Sequence, residues 1–244
     1  LKPSMNRQIS RRSPFRGRPG LIVETKSHST FDNKKDSHKE KGLETMKTSI
    51  WSFKLSTASL VLIPAAVGIN YIGKMIAGFL KLPLWLDAIG TVLAAMIGGP
   101  VVGALSGAIN NIIYGLTLDP ISFAYAFTSL FLGLAVGAMA YKGWIENAGK
   151  ALIVGLVAVL VASVVSTPIN IIFWGGQTGN VWGDALYAAL IAHHFPVWLS
   201  SFLDEWVVDV PDKIITVFIG YLIFRGLPKT FLQQFDRQNQ TDVL

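Results

Sequence analysis

Residues 82–115 read LPLWLDAIGTVLAAMIGGPVVGALSGAINNIIYG. Two short apolar segments meet at Gly98-Gly99-Pro100; Asp87 opens the first and Asn110-Asn111-x-x-Tyr114 closes the second. A bilayer hydrocarbon core of about 30 Å takes roughly 20 apolar residues per helix, so each segment is barely long enough to cross. If both cross, their polar residues return to the same end. That arrangement predicts a site for a polar solute, held between helices in a membrane.

The rest of the chain agrees. Hydrophobic residues make up 51% of the sequence and charged residues only 15%, most of them outside the apolar segments. A soluble domain of this length would have amphipathic helices and a more charged surface. The expected fold class is therefore all-α: a polytopic, six-transmembrane-helix bundle over residues 46–230. Its spans are 55–80, 84–97, 101–118, 121–140, 151–174 and 207–224, with a long external loop between the fifth and sixth helices. Pro64 and Gly68 should kink the first span, which neighbouring helices can tolerate. Residues 184–203 read as an external re-entrant or interfacial segment, because a further span there would place Arg225 and Lys229 outside.

Orientation follows from the basic residues. With the N-terminus inside, the cytoplasmic side carries Lys47, Lys54, Lys142, Lys150, Arg225, Lys229 and Arg237, and the outside Lys74, Lys81 and Lys213. The excess favours a multi-pass protein of the plasma membrane with both termini cytoplasmic. Gly99, Gly103 and Gly107 repeat every four residues, as do Gly133 and Gly137. Such stripes let membrane helices approach closely, so they read as packing surfaces.

Residues 1–45 are different in kind: RQISRRSPFRGRPG, then DNKKDSHKEKGLE, with few apolar side chains. This composition cannot bury enough surface to fold alone and reads as a disordered basic leader. Met46 sits just before a span, and codons for Lys41-Gly42 can supply a purine-rich ribosome-binding sequence. The expected start is therefore Met46, with the leader outside the natural protein. The net charge of +6 then says little about partners, and no nucleic acid is expected among them. Residues 231–244 read as a short cytoplasmic tail. There is no cysteine, so disulfides and thiolate metal sites are excluded.

Under this topology the outer ends of the spans collect Asn70, Asp87, Asn110, Asn111, Tyr114, Asp119 and an acidic run at Asp204, Glu205, Asp209 and Asp212. An ionisable group in a membrane segment costs at least about 2.5 kcal/mol, so such groups face a cavity or one another. Asn110 and Tyr114 share a helical face and offer an amide and a phenol to one point, while Asn111 lies about 100° around. An interhelical hydrogen bond is an equal reading of the pair. Asp87 is expected to bind solute, to pair with Lys213 or to lie in the headgroup zone, with a pairing or gating role preferred. Glu205, Asp209 and Asp212 fall on one stripe, and Lys213, four residues after Asp209, can pair with it. Pro211 suits the first turn of the last helix, which places Lys213 just inside that helix. There it can hold an anionic or carbonyl-bearing solute, or snorkel to the interface.

The segment WGGQTGNVWGD (residues 174–184) supplies Trp174 and Gln177 as candidate lid residues, with an interfacial tryptophan belt as the plainer reading. His193 is a further candidate solute contact. His193 and His194 diverge on a helix, so no metal site is expected. No Walker loop, HExxH motif or nucleophile elbow occurs, and no cofactor or enzymatic activity is expected. If ATP drives the protein, another chain supplies the ATPase.

The run over 82–115, the following DPISFAYAFTSLFLGLAVGAMA and the late DVPDKIITVFIGYLIFRGLP resemble substrate-binding (S) components of energy-coupling factor transporters. The resemblance covers most of residues 55–228. It implies a six-helix bundle that binds a vitamin or related micronutrient near the outer face under mobile loops. The implied partners are membrane lipid, a transmembrane scaffold (the T component) and two ATP-binding cassette ATPases. The family docks through an Ala-x-x-x-Ala pattern in the first span. This chain lacks that pair; Gly73-x-x-x-Ala77 and Ala58 with Ala65-Ala66 are the nearest approximations. Riboflavin-type members use a polar residue and a lysine at the start of the last helix, positions that Asp209 and Lys213 resemble. Two other classes compete: a membrane sensor acting with a separate signalling partner, and a membrane enzyme using Asp87, His193 or Glu205, for which no convergent motif exists.

Overall fold

The computed structural model describes residues 55–241, among which every regular element is helical. The leader 1–45, the start at Met46, Lys47 and Lys54 lie outside the described residues. In chain order the helices are α1 (Thr57–Phe79), α2 (Ile89–Thr117), α3 (Ala126–Tyr141), α4 (Ala148–Trp174), α5 (Val181–Ala192), α6 (Val197–Gly226) and α7 (Lys229–Thr241), with a 3-10 turn at Pro120–Phe123. α1 and α4 are each long and apolar enough to cross a membrane, and α2 is so over its full 29 residues, counted across its break at Gly99. Such helices satisfy all their backbone groups internally, which a bilayer demands.

α1 shows how apolar sequence becomes a one-sided helix. Ser56 caps it, its Oγ accepting from Ser59 N at 3.1 Å. Its buried stripe runs Ser59, Ile63, Ala66, Asn70, Gly73 and Ala77. Leu60, Val61, Ile72, Met75 and Phe79 point outward. A helix that exposes its large apolar side chains and buries its small ones suits a lipid surround.

α2 is two helices joined at Gly99, whose φ of 85° and ψ of −176° no helix contains. A side chain on Gly103 would strike Ala95, eight residues upstream. In a straight helix those residues would lie about 12 Å apart, so the chain folds back on itself. Glycine supplies the positive φ and proline the following start. The two segments expected from sequence are present, but the first is helical only from Ile89, since residues 82–88 run non-helically with Leu86 at φ 49°. α3 then lies along the second arm: Gly107 abuts Ser129, Gly133 the backbone of Gly103 and Ala104, and Gly137 that of Pro100. The glycine stripes are packing surfaces, as their spacing indicates.

The region expected to be a long loop contains α5, and the last helix starts at Val197 rather than at 207. Pro211 therefore sits inside α6, not in its first turn. Charged side chains spread over 204–213 hide this helix from a hydropathy reading, though its own neighbours bury them. The expected tail continues as α7, whose Phe235 is buried.

The bundle has two distinct ends. At one, the α3–α4 connection meets the end of α6: Arg225 Nη1 donates to Glu146 O at 2.9 Å, and Lys150 pairs with Glu146 at 2.6 Å. An apolar core including Val92, Leu132, Val136, Val154 and Val217 separates this end from the other.

Candidate functional site

The other end is built by polar residues that tie irregular segments to helices. Asn70 of α1 accepts from Gly90 N at 2.6 Å and Thr91 N at 3.3 Å, and donates to Thr91 Oγ1 at 2.9 Å. It caps the start of α2, whose own cap residue, Ala88, has no side chain for the task. Asp212 of α6 accepts at one oxygen from Trp85 N (3.0 Å) and Leu86 N (2.8 Å), and at the other from Lys213 Nζ (2.6 Å). A fully buried carboxylate thus pins the strained loop before α2 to the last helix.

Between these anchors lies a cavity of about 500 Å³. Its floor on α6 is Glu205, Asp209 and Lys213, one residue per turn. α4 contributes Ala162 and Ser166, and α3 contributes Thr128, Ser129 and Leu132. Trp85, Asp87, Asn111, Ser122 and Tyr125 complete the wall, and Trp174 and the strap Gln177-Thr178-Gly179 lie over it. The strap is held by two carboxylates: Thr178 N and Gly179 N donate to Asp184 Oδ1 at 3.1 Å, and Thr178 Oγ1 donates to Asp204 Oδ1 at 2.8 Å. Gly175, Gly176 and Gly179 all have positive φ, a path that side chains rarely follow.

A hydrogen-bond relay runs beside the floor. Tyr125 OH donates to Asn170 Oδ1 at 2.5 Å, and Asn170 Nδ2 donates to Glu205 Oε2 at 2.9 Å. Ser163 Oγ donates to Asp209 Oδ2 at 3.3 Å, and Lys213 Nζ lies 3.1 Å from Asp209 Oδ1. These groups are almost wholly buried, so their charges meet little water and interact strongly.

Of the residues singled out from sequence, Asp87, Asp209, Lys213, Trp174 and Gln177 line this one cavity. The Asp209–Lys213 pair forms as its spacing predicts, and burial by Asp212 and Asp209 keeps Lys213 from snorkelling. Asp87 pairs with Lys74 at 4.0 Å instead of with Lys213. Asn110 and Tyr114 are buried but do not line the cavity. Tyr114 faces α1, its ring tilted against Tyr71 at 5.2 Å with Lys74 Nζ 4.3 Å from its centre. Neither the Asn110 amide nor the Tyr114 hydroxyl has a hydrogen-bond partner among the described residues. His193 is exposed at the C-cap of α5 and is not part of the wall.

Asn111 and Glu205, gathered with the outer-end polar groups but not assigned to the solute, also line the wall, and Tyr125 escaped the sequence reading. Asn111 was detectable. It continues the Gly103–Gly107 stripe by four residues, and its Nδ2 donates to Ser129 Oγ on α3 at 2.6 Å. Glu205 lies one turn before Asp209 on the stripe expected from sequence, inside a helix that begins at Val197. Tyr125 sits between two short helical elements, where no periodicity applies. Among the docking candidates, Ala66, Gly73 and Ala77 are buried within the bundle. Ala66 and Gly73 pack against Gly90 and Leu86, so only Ala58 and Ala65 retain exposure.

Comparison with protein-family models, curated proteins and solved structures gives no match.

Proposed function

We propose that this protein is the solute-binding membrane subunit of an importer of the energy-coupling factor type. In this reading six segments cross the plasma membrane with both termini cytoplasmic: α1, the non-helical residues 82–88 together with the first arm of α2, the second arm of α2, α3, α4 and α6. The cavity opens toward the outer face and takes a vitamin-like solute. A separate transmembrane scaffold and two ATP-binding cassette ATPases then drive delivery.

The observation that carries the reading is the position of the cavity. A polar chamber of about 500 Å³, large enough for a small organic molecule, lies at one end of an otherwise apolar helical bundle. Lys150 and Arg225 gather on Glu146 at the opposite end, the distribution expected of a cytoplasmic side. The glycine-rich strap over the chamber offers a route for entry that leaves the helices in place.

Native mass spectrometry of the detergent-purified full chain tests the proposal. The expected spectrum contains a small-molecule adduct that leaves as the protein unfolds, and vesicles holding the chain alone should show binding without ATP-driven uptake. Uptake by the chain alone, or a bare protein that also fails to co-purify with any ATPase from its host membrane, would overturn the reading.

A further inference from the structure

The charges around the cavity do not balance. Lys213 Nζ lies 2.6 Å from Asp212 Oδ2 and 3.1 Å from Asp209 Oδ1, so its ammonium is already matched by two carboxylates. Lys74 lies 4.0 Å from Asp87 and 4.3 Å from the centre of the Tyr114 ring. Lys213 is therefore fully engaged, and Lys74 is shared between the Asp87 carboxylate and the Tyr114 ring. Asp119 is turned to Ile121 N, and Asp184 to the strap amides.

Glu205 differs from these acids. It is 6% exposed, lines the cavity, and among the described residues accepts one hydrogen bond, from the neutral amide of Asn170 to Oε2. No ion pair is formed by it among those residues. A carboxylate so deeply buried needs a cation nearby to remain charged at low cost. At the same floor, Asp209 Oδ1 is buried and, though near Lys213, makes no hydrogen bond. Trp85, Tyr125 and Trp174 line the chamber, and aromatic faces attract cations.

We infer that the cavity takes a flat organic cation, a ring compound carrying a protonated or quaternary nitrogen. The positive charge lies against Glu205 and the ring against the aromatic residues of the wall. This rests on the reading of the cavity as a solute site, and it reverses the sequence expectation of an anionic or carbonyl-bearing solute on Lys213.

The test uses the full chain in detergent and three ring probes of similar size: benzyltrimethylammonium, benzyl alcohol and benzoate. Melting temperature and tryptophan fluorescence are followed as each is titrated. Benzyltrimethylammonium should raise the melting temperature saturably, and benzoate should not. Glu205→Gln should weaken binding of the cation at least about tenfold, while Lys150→Ala, at the opposite end, binds it as the wild type does. If Glu205→Gln melts early, Trp85→Leu, at a partly exposed loop position, should weaken the cation in its place. Preferential stabilisation by benzoate, or undiminished cation binding in these variants, overturns the charge assignment and leaves the solute site standing. If no probe binds, the molecule released from the protein in native mass spectrometry decides: a cation supports the inference and an anion overturns it. No probe binding and no released molecule would remove the solute site itself, and the inference with it.

Discussion

The contact between α2 and α3 and the contact between α4 and α6 solve the same problem in opposite ways. Along the first, Gly107, Gly133 and Gly137 bring the two helices into backbone contact, and nothing larger than hydrogen fits there. Along the second, Gly155 comes close to the backbone of Ile214, but Asn170 reaches Glu205 and Ser163 reaches Asp209 through their side chains. Backbone contact leaves no volume between helices. Polar side chains line the cavity, which opens between α3, α4 and α6. The first interface gives a membrane bundle dispersion and shape; the second gives it a place for chemistry.

The sharpest way to break this contrast is Asp212→Ala. It removes the acceptor of Trp85 N and Leu86 N and one partner of Lys213 at a buried site. Breaking a buried ion pair from one side costs about 3–5 kcal/mol. A thermal melt in detergent should fall far below that of the wild type; an unchanged melt would mean that the polar side does not hold the loop. Gly133→Ala tests the closed side, since its methyl would enter the backbone of Gly103 and Ala104. Overpacking of this kind costs about 1–3 kcal/mol, read in the same melt, and a neutral result would show that α2 and α3 slide apart freely.

Ser163→Ala removes one hydrogen bond from Asp209 and leaves the Lys213 pair in place. A loss of about 0.5–1.5 kcal/mol is expected in denaturant titration, with solute binding retained. The smallest effect belongs to Lys150→Ala, at an i,i+4 pair whose lysine is 40% exposed. Less than about 0.5 kcal/mol is expected, and a large drop there would show that the end without a cavity depends on charge after all.

Much of this architecture is written locally. Apolar runs located α1, α3 and α4, and the glycine stripes marked the closed interface, because both depend on residues one or two turns apart. The Asp209–Lys213 pair was legible for the same reason. Asn110 and Asn111 show the limit. They differ by a single step of about 100° around the helix, yet Asn111 lines the cavity and Asn110 is buried away from it. The charges of 204–213 likewise masked the early start of α6, because hydropathy does not register a charge that a distant neighbour will satisfy.

By itself, then, the sequence determined that the protein is helical and suited to a membrane, where the chain reverses at Gly99, and which residues can pair along one helix. Those properties follow from hydropathy, backbone conformation and helical period, all short-range. Only the tertiary structure decided that Asp212 holds residues 85 and 86, that Lys74 takes Asp87, and that Glu205 faces the cavity without a cation. Each of those outcomes is a competition for partners among groups far apart in the chain, settled by which helices pack together.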